Sequence, residues 1–229
     1  MNKQGNTYTF LYSVVLVVVV AALLSIVSLS LQPRQNENRQ NEKRQNILSA
    51  IHISSTAANS AELFDKYIKE QFIINSKGDR IEGKAFDVNI EKQYNLPVEK
   101  RELPVFVANV DGATKYILPT YGVGLWGPVW GYISLNEDKN TVYGVLFDHK
   151  GETPGLGAEI TQPFFQKQFS GKTVFENSSL KAITVKKGGN ATGAHEVDGI
   201  SGGTITSKAV ETMIADYLKC YEQFLKQIQ

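Results

Sequence analysis

The residues best suited to chemistry lie in a few short stretches. The densest is Asp198-Gly199-Ile200-Ser201-Gly202-Gly203-Thr204-Ile205-Thr206-Ser207. Gly202 and Gly203 let backbone approach a ligand closely, because no Cβ stands in the way. Val210, Met213, Ile214, Tyr217, Leu218, Phe224, Leu225 and Ile228 follow at three- and four-residue steps, which predicts a helix. Thr206 or Ser207 stands where its N-cap belongs. A loop running into a helix N-terminus favours an anion, through free N–H groups and the dipole. Alone, such a loop is most often only a cap. Thr206 is an alcohol with no base in its own stretch and no N-terminal amine, so it is not a turnover nucleophile.

Three further stretches stand out. His149-Lys-Gly-Glu-Thr-Pro-Gly-Leu-Gly157 is a tight loop directly after a strand pattern. Tyr121-Gly-Val-Gly-Leu-Trp-Gly-Pro-Val-Trp-Gly131 alternates glycines with large aromatics, which suits backbone bending around a flat ring or around its own core. Trp126 and Trp130 fit either reading. Lys186-Lys187-Gly-Gly offers a cation for a phosphate or simply a solvated face, with Lys187 preferred over Lys186.

The elements that must position these stretches are also readable. Phe10 to Leu31 is uncharged and long enough to span a hydrocarbon core of roughly 30 Å. It reads as a retained anchor rather than a cleaved signal, because no small-residue cleavage site follows it. Ser60 to Lys69 reads as a helix capped at Ser60. Phe72-Ile-Ile is strand-like, and Ala85, Phe86, Val88 and Ile90 have strand or mixed character. Asp111-Gly112 between two apolar runs predicts a hairpin. A second hairpin is expected from Val129–Leu135 and Thr141–Phe147, a short helix at Pro163–Phe169 and a strand at Leu180–Val185. The fold class expected is α+β: a single N-terminal transmembrane helix, then a largely antiparallel sheet with packed helices. The divisions are 1–32 for tail and membrane helix, 33–46 for a polar linker or helical extension, and 47–229 for the α+β domain.

Composition narrows the partners. A net charge of +1 and the lack of a basic stripe speak against nucleic acid. The single cysteine, Cys220, excludes disulfides and metal sites built from several cysteines, and reads as a buried filler. No metal ligand set and no Gly-x-Gly-x-x-Gly fingerprint is visible.

Asp198, Ser201, Gly202, Thr204 and Thr206 match the pattern Asp-x-x-Ser/Thr-Gly-Ala-Thr-x-Thr. The chain thereby resembles the covalent FMN-binding domain family, whose members are flavin-carrying subunits of bacterial respiratory complexes. Gly203 departs from the family's Ala, which should loosen the turn. A second motif, Glu-Thr-Pro-Gly-Leu-Gly, occurs in the family's order and spacing. The resemblance is nearest to the C-subunits of the sodium-translocating NADH:quinone oxidoreductases, with the G-subunits of the related Rnf ferredoxin:NAD complexes next. A membrane-anchored binding module without flavin is the reading from a different class.

The resemblance implies FMN joined to Thr206 as a phosphoester by a separate Mg²⁺-dependent flavin transferase that uses FAD. It implies flavin contacts from Thr153, Gly155, Leu156, Ser201, Gly202, Gly203 and Thr204, with Lys187 a candidate partner of the phosphate or ribityl chain. Trp126, Glu152 and Asp198 could join the pocket. The partners implied are the other subunits of a sodium-translocating complex that passes electrons from NADH to ubiquinone. The location implied is the bacterial inner membrane, with the domain on the periplasmic side. Arg34, Arg39, Lys43 and Arg44 against Lys3 would favour the cytoplasmic side instead. Long domains translocate largely regardless of such charges, so the periplasmic expectation stands.

Overall fold

The computed structural model describes residues 5–227. Lys3, counted in the charge balance, and Ile228, counted on the last apolar face, lie outside the described residues. The chain divides into two compact units, Met1–Lys43 and Arg44–Gln229.

Helix α1 (Asn6–Ser49) carries an 18-residue window of mean hydropathy 3.0, none of it buried within the protein. Such a helix is long and apolar enough to cross a membrane. Its valines are modest helix formers in water, but in hydrocarbon only a helix satisfies its own backbone groups. The polar stretch 33–46 is a continuation of the helix, with Pro33 inside it.

The second unit begins with buried Ile47, Leu48, Ala50 and Ile51. Helix α2 (Ser60–Tyr67) and strands β1 (Ile68–Ile74) and β2 (Arg80–Ile81) follow, then helix α3 (Ile90–Tyr94). Ser60, expected as a cap, is the first helical residue, and Asn59 precedes it. The segment Ala85 to Ile90, of strand or mixed character by sequence, is a 3₁₀ turn at Ala85–Asp87 leading to α3. Asn89 explains the difference: its Oδ1 accepts the Lys92 N–H at 3.0 Å, a side-chain cap that starts a helix where a strand would have to run on.

Strands β3 (Leu103–Val110), β4 (Ala113–Val123), β5 (Pro128–Leu135) and β6 (Val142–His149) complete an antiparallel sheet in the order β2-β1-β3-β4-β5-β6. Asp111 and Gly112 both take positive φ, 52° and 84°, the geometry of a two-residue hairpin turn. Helix α4 (Pro163–Gln166), a small antiparallel pair β7 (Phe175–Glu176) and β8 (Ser179–Leu180), and a parallel pair β9 (Thr184–Lys186) and β10 (Glu196–Asp198) lead to the closing helix α5 (Thr204–Lys226).

Both faces of the sheet are covered. Leu103, Val105, Leu118 and Ile133 join the core on the α5 side, with Val210, Ile214, Tyr217 and Tyr221. Phe106, Ala108, Ile117 and Tyr132 face Ile47, Ile51 and Phe64 on the other. Two-sided burial is why β3 reads as a nearly unbroken apolar run. The antiparallel path puts the turns at 111–112 and 136–141 at one end of the sheet, and the loop 124–127 and the exit of β6 at the other.

Helix α5 is held at its far end by Lys139. This lysine is 1% exposed, donates from Nζ to the Phe224 carbonyl at 3.2 Å and lies 3.9 Å from the Phe224 ring centroid. A cation at a helix C-terminus complements the dipole. Burial, reinforced by the charge of Arg80, lowers its pKa to about 8. Cys220 is buried beside Arg101, and burial raises its thiol pKa.

Candidate functional site

The site is built where β4, β6 and β10 hand over to their loops. The first helical residue of α5 is Thr204 and the N-cap is Gly203, which makes no side-chain capping bond. Thr206 and Ser207, expected at the cap, therefore lie inside the first turn. The first intrahelical bond runs from Ser207 N–H to Gly203 O, so the N–H groups of Thr204, Ile205 and Thr206 precede it. Ser207 Oγ instead accepts the Ile200 N–H at 3.0 Å and ties the loop to the helix.

Thr206 is 1% exposed. Its hydroxyl donates to Glu152 Oε2 at 2.6 Å, across 54 residues of sequence. Glu152, 5% exposed, uses its other oxygen to accept the Trp126 N–H at 2.9 Å. The Glu152 N–H donates to His149 Nδ1 at 3.1 Å. One carboxylate thus joins the 124–127 turn, the loop after β6 and the first turn of α5. The carboxylate that meets the Thr206 hydroxyl comes from a loop distant in sequence.

Two glycines make room for that carboxylate. A Cβ at Gly124 would come within 2.5 Å of Glu152 Oε1, and one at Gly157 within 2.4 Å of both Glu152 Oε2 and Thr206 Oγ1. Gly203 is tight as well: a Cβ there would sit 2.9 Å from the Leu156 carbonyl oxygen. The loosening expected from replacing the family's Ala is instead a close approach of two loops, with Leu156 lying over Gly202.

Two cavities adjoin at Gly202 and Thr204. The smaller, about 230 Å³, is lined by Leu125, Trp126, Glu152, Thr153, Leu156 and Thr206 among others. The larger, about 420 Å³, runs past Val185, Lys187, Gly188, Ile200, Ser201 and Lys208. Lys186 pairs with Glu196 at 3.1 Å and Lys208 with Glu211 at 2.5 Å. Among the described residues Lys187 has no ion pair and is exposed.

A family model described as "FMN-binding domain" matches residues 124–219, a span that includes both cavities. The C-subunit of the Na(+)-translocating NADH-quinone reductase of Vibrio vulnificus is 32% identical over 211 residues, covering 84% of this chain and 83% of the relative. This chain belongs to the C-subunit family of Na(+)-translocating NADH-quinone reductases. The family member from Haemophilus ducreyi is 31% identical and matches 92% of this chain and 88% of its own. A solved structure of the family member from Parabacteroides distasonis has a TM-score of 0.82 and 45% identity, and covers 87% of this chain and 98% of that one. NqrC from Shewanella oneidensis, at 26% identity, has a TM-score of 0.73 and covers 83% of this chain and 97% of that one.

Within this family member the expected site residues divide clearly. Thr153, Leu156, Gly202, Gly203, Thr204, Thr206, Trp126 and Glu152 line the smaller cavity. Ser201 and Lys187 line the larger. Gly155 and Asp198 line neither. Gly155 takes a φ of +75°, and its N–H donates to Glu159 Oε1. Asp198 Oδ1 accepts the Ala191 N–H at 2.7 Å and orders the approach to the loop. Trp126 is 68% exposed at the rim, whereas Trp130 packs against the core. Sequence reasoning missed Gly124, Gly157, Leu125 and Ile205. The glycine–aromatic alternation at 121–131 was the signal for the first and third; Gly157 and Ile205 lie within the two quoted motif stretches, but nothing local distinguishes them from their neighbours.

Proposed function

We propose that the chain is an electron-carrying flavoprotein subunit of a respiratory Na⁺-translocating NADH:quinone reductase, with FMN carried as a phosphoester on Thr206. The observation that carries this reading is the setting of the Thr206 hydroxyl. It lies in a cavity wall, at a helix N-terminus, between the two motif loops that define the family resemblance.

The residues present fit such a group. The N–H groups of Thr204, Ile205 and Thr206 and the dipole of α5 suit a phosphodiester anion, a contribution of typically 0.3–1 kcal/mol when exposed and up to about 2 when partly buried. Lys187 suits the phosphate or ribityl end. Leu156, Thr153 and Trp126 offer a wall of mixed polarity to a flat ring. FMN, when bound, supplies the one- and two-electron redox chemistry. The protein's part is to hold the phosphate, exclude water with Leu125, Trp126 and Leu156, and set the polarity around the ring. A tether at the phosphate leaves the ring's chemistry to itself. The relatives, which carry the C-subunit name and match over more than four-fifths of their length, favour this complex over Rnf.

The reading includes the other subunits as neighbours, a Mg²⁺-dependent flavin transferase for maturation, and a single-pass anchor in the bacterial inner membrane with the domain on the periplasmic side. The test is intact mass of the full chain produced with the transferase. Wild type should gain the mass of an FMN ester and give a fluorescent band after denaturation. Thr206→Val should stay unmodified yet folded. Covalent flavin retained in that variant would reassign the attachment, with Thr204 next in line.

A further inference from the structure

We propose that Glu152 is the general base that prepares Thr206 for esterification, an inference that rests on the attachment reading above. An alcohol is a weak nucleophile unless a neighbouring group removes its proton. Among the described residues Glu152 Oε2 is the group hydrogen-bonded to Thr206 Oγ1, at 2.6 Å, within the reach required of a base. The carboxylate is fixed before any donor arrives. Trp126 N–H holds Oε1, His149 Nδ1 holds the Glu152 backbone, and the missing side chains of Gly124 and Gly157 define its slot.

Approach is also defined. Thr206 and Glu152 both line the smaller cavity, so a phosphorus atom brought to Oγ1 enters from that side, with the proton acceptor already on the hydroxyl. The donor is a flavin adenine dinucleotide presented by the transferase. Thr206 Oγ attacks the phosphorus on the flavin side. The Oγ–P bond forms, the P–O bond of the pyrophosphate linkage breaks, and adenosine monophosphate leaves with the electron pair. The Oγ proton passes to Glu152 Oε2. Nothing is oxidised or reduced. The target chain thus supplies part of the catalytic apparatus for its own modification.

The competing account is that Glu152 only clamps the loops together. Rates of mass addition, measured with the full chain in detergent, purified transferase, FAD and Mg²⁺, separate the two. Glu152→Gln keeps the shape and an oxygen for the Trp126 N–H but lacks the base. It should lower kcat for loading by about 100-fold or more while KM for the chain stays within about threefold. A mere clamp would change KM or the melting temperature instead. Glu152→Asp, which keeps the carboxylate but packs less well, should load faster than Glu152→Gln. Equal rates for wild type and Glu152→Gln, or faster loading by Glu152→Gln than by Glu152→Asp, would overturn the inference. Should Glu152→Gln not fold, Glu152→Ala decides: restoration of kcat by added formate supports the base, and either a wild-type kcat without formate or no restoration with it overturns the inference. Wild type that gains no mass at Thr206 would sink the attachment reading and this inference together, whereas loading of wild type and variant alike sinks only the inference.

Discussion

Three glycines in the loop after β6 should respond to alanine in three different ways. A Cβ at Gly157 would lie 2.4 Å from Glu152 Oε2, 2.4 Å from Thr206 Oγ1 and 3.1 Å from Thr206 Cβ. Non-bonded heavy atoms rest at about 3.5 Å, so the first two contacts overlap by about 1 Å. Neither oxygen can retreat easily, since each is bonded to the other inside a buried slot. Overpacking of this kind costs about 1–3 kcal/mol. Losing the charge-assisted hydrogen bond adds a similar amount, less what relaxation restores. A net loss of about 2–4 kcal/mol follows, a fall in Tm of about 4–16 °C for a unit of this size. Gly155 has open space around its Cβ position but a φ of +75°, so alanine there is strained without a clash and should cost about 1 kcal/mol. Gly151 has neither restriction, and alanine there should be neutral or stabilising by a few tenths. Chemical denaturation of the three variants as full chains, with loading measured in parallel, gives the order. Gly157→Ala as stable as Gly151→Ala, and loaded as fast, would refute the picture of a slot closed around one carboxylate.

Two further outcomes follow from buried groups at the other end of α5. Lys139 is held at about 8 in the folded chain against 10.5 for an unburied lysine. Between those values the unfolded chain binds more protons, so the Lys139 contribution to stability rises with pH across that window and is flat below it. Wild type should therefore gain stability relative to Lys139→Met from pH 8 to 10, read as a narrowing or reversal of the gap in denaturation midpoints; a pH-independent gap would show that the buried ammonium is not desolvated. Cys220, at 4% exposure, should resist maleimide in the native chain, so an engineered Lys77→Cys on an exposed turn reports topology. An impermeant maleimide added outside intact spheroplasts should label Lys77→Cys, and protection until lysis would place the domain in the cytoplasm.

Local rules captured what local physics decides. An uncharged run from Phe10 to Leu31 can only be a lipid-facing helix or a buried one, and Asp111-Gly112 admits few turns other than the one found. The face of α5 was legible because Val210, Met213, Ile214, Tyr217 and Leu218 recur with the helical period. The start of α5 was not, because Thr206 looks like a cap until its hydroxyl is found on a carboxylate 54 residues earlier. Asn89 decided against a strand at 85–90, a choice the spacing of Ala85, Phe86, Val88 and Ile90 leaves open. Lys139 sits in what reads as a polar turn, and only the packed fold brings Phe224 over it. The glycines at 124 and 157 illustrate the same limit. Their role is to leave empty a place that no single stretch of sequence defines.

The hairpin at Asp111-Gly112 has a practical consequence. It projects from the end of the sheet that carries none of the cavity-lining loops, and a Cβ at Gly112 meets nothing within 4 Å. An affinity handle or fluorescent reporter spliced there would lengthen a solvent-facing tip while the wall around Thr206 kept its shape. The Asp111-Gly112 tip tolerates what the wall around Thr206 does not, and labels belong there.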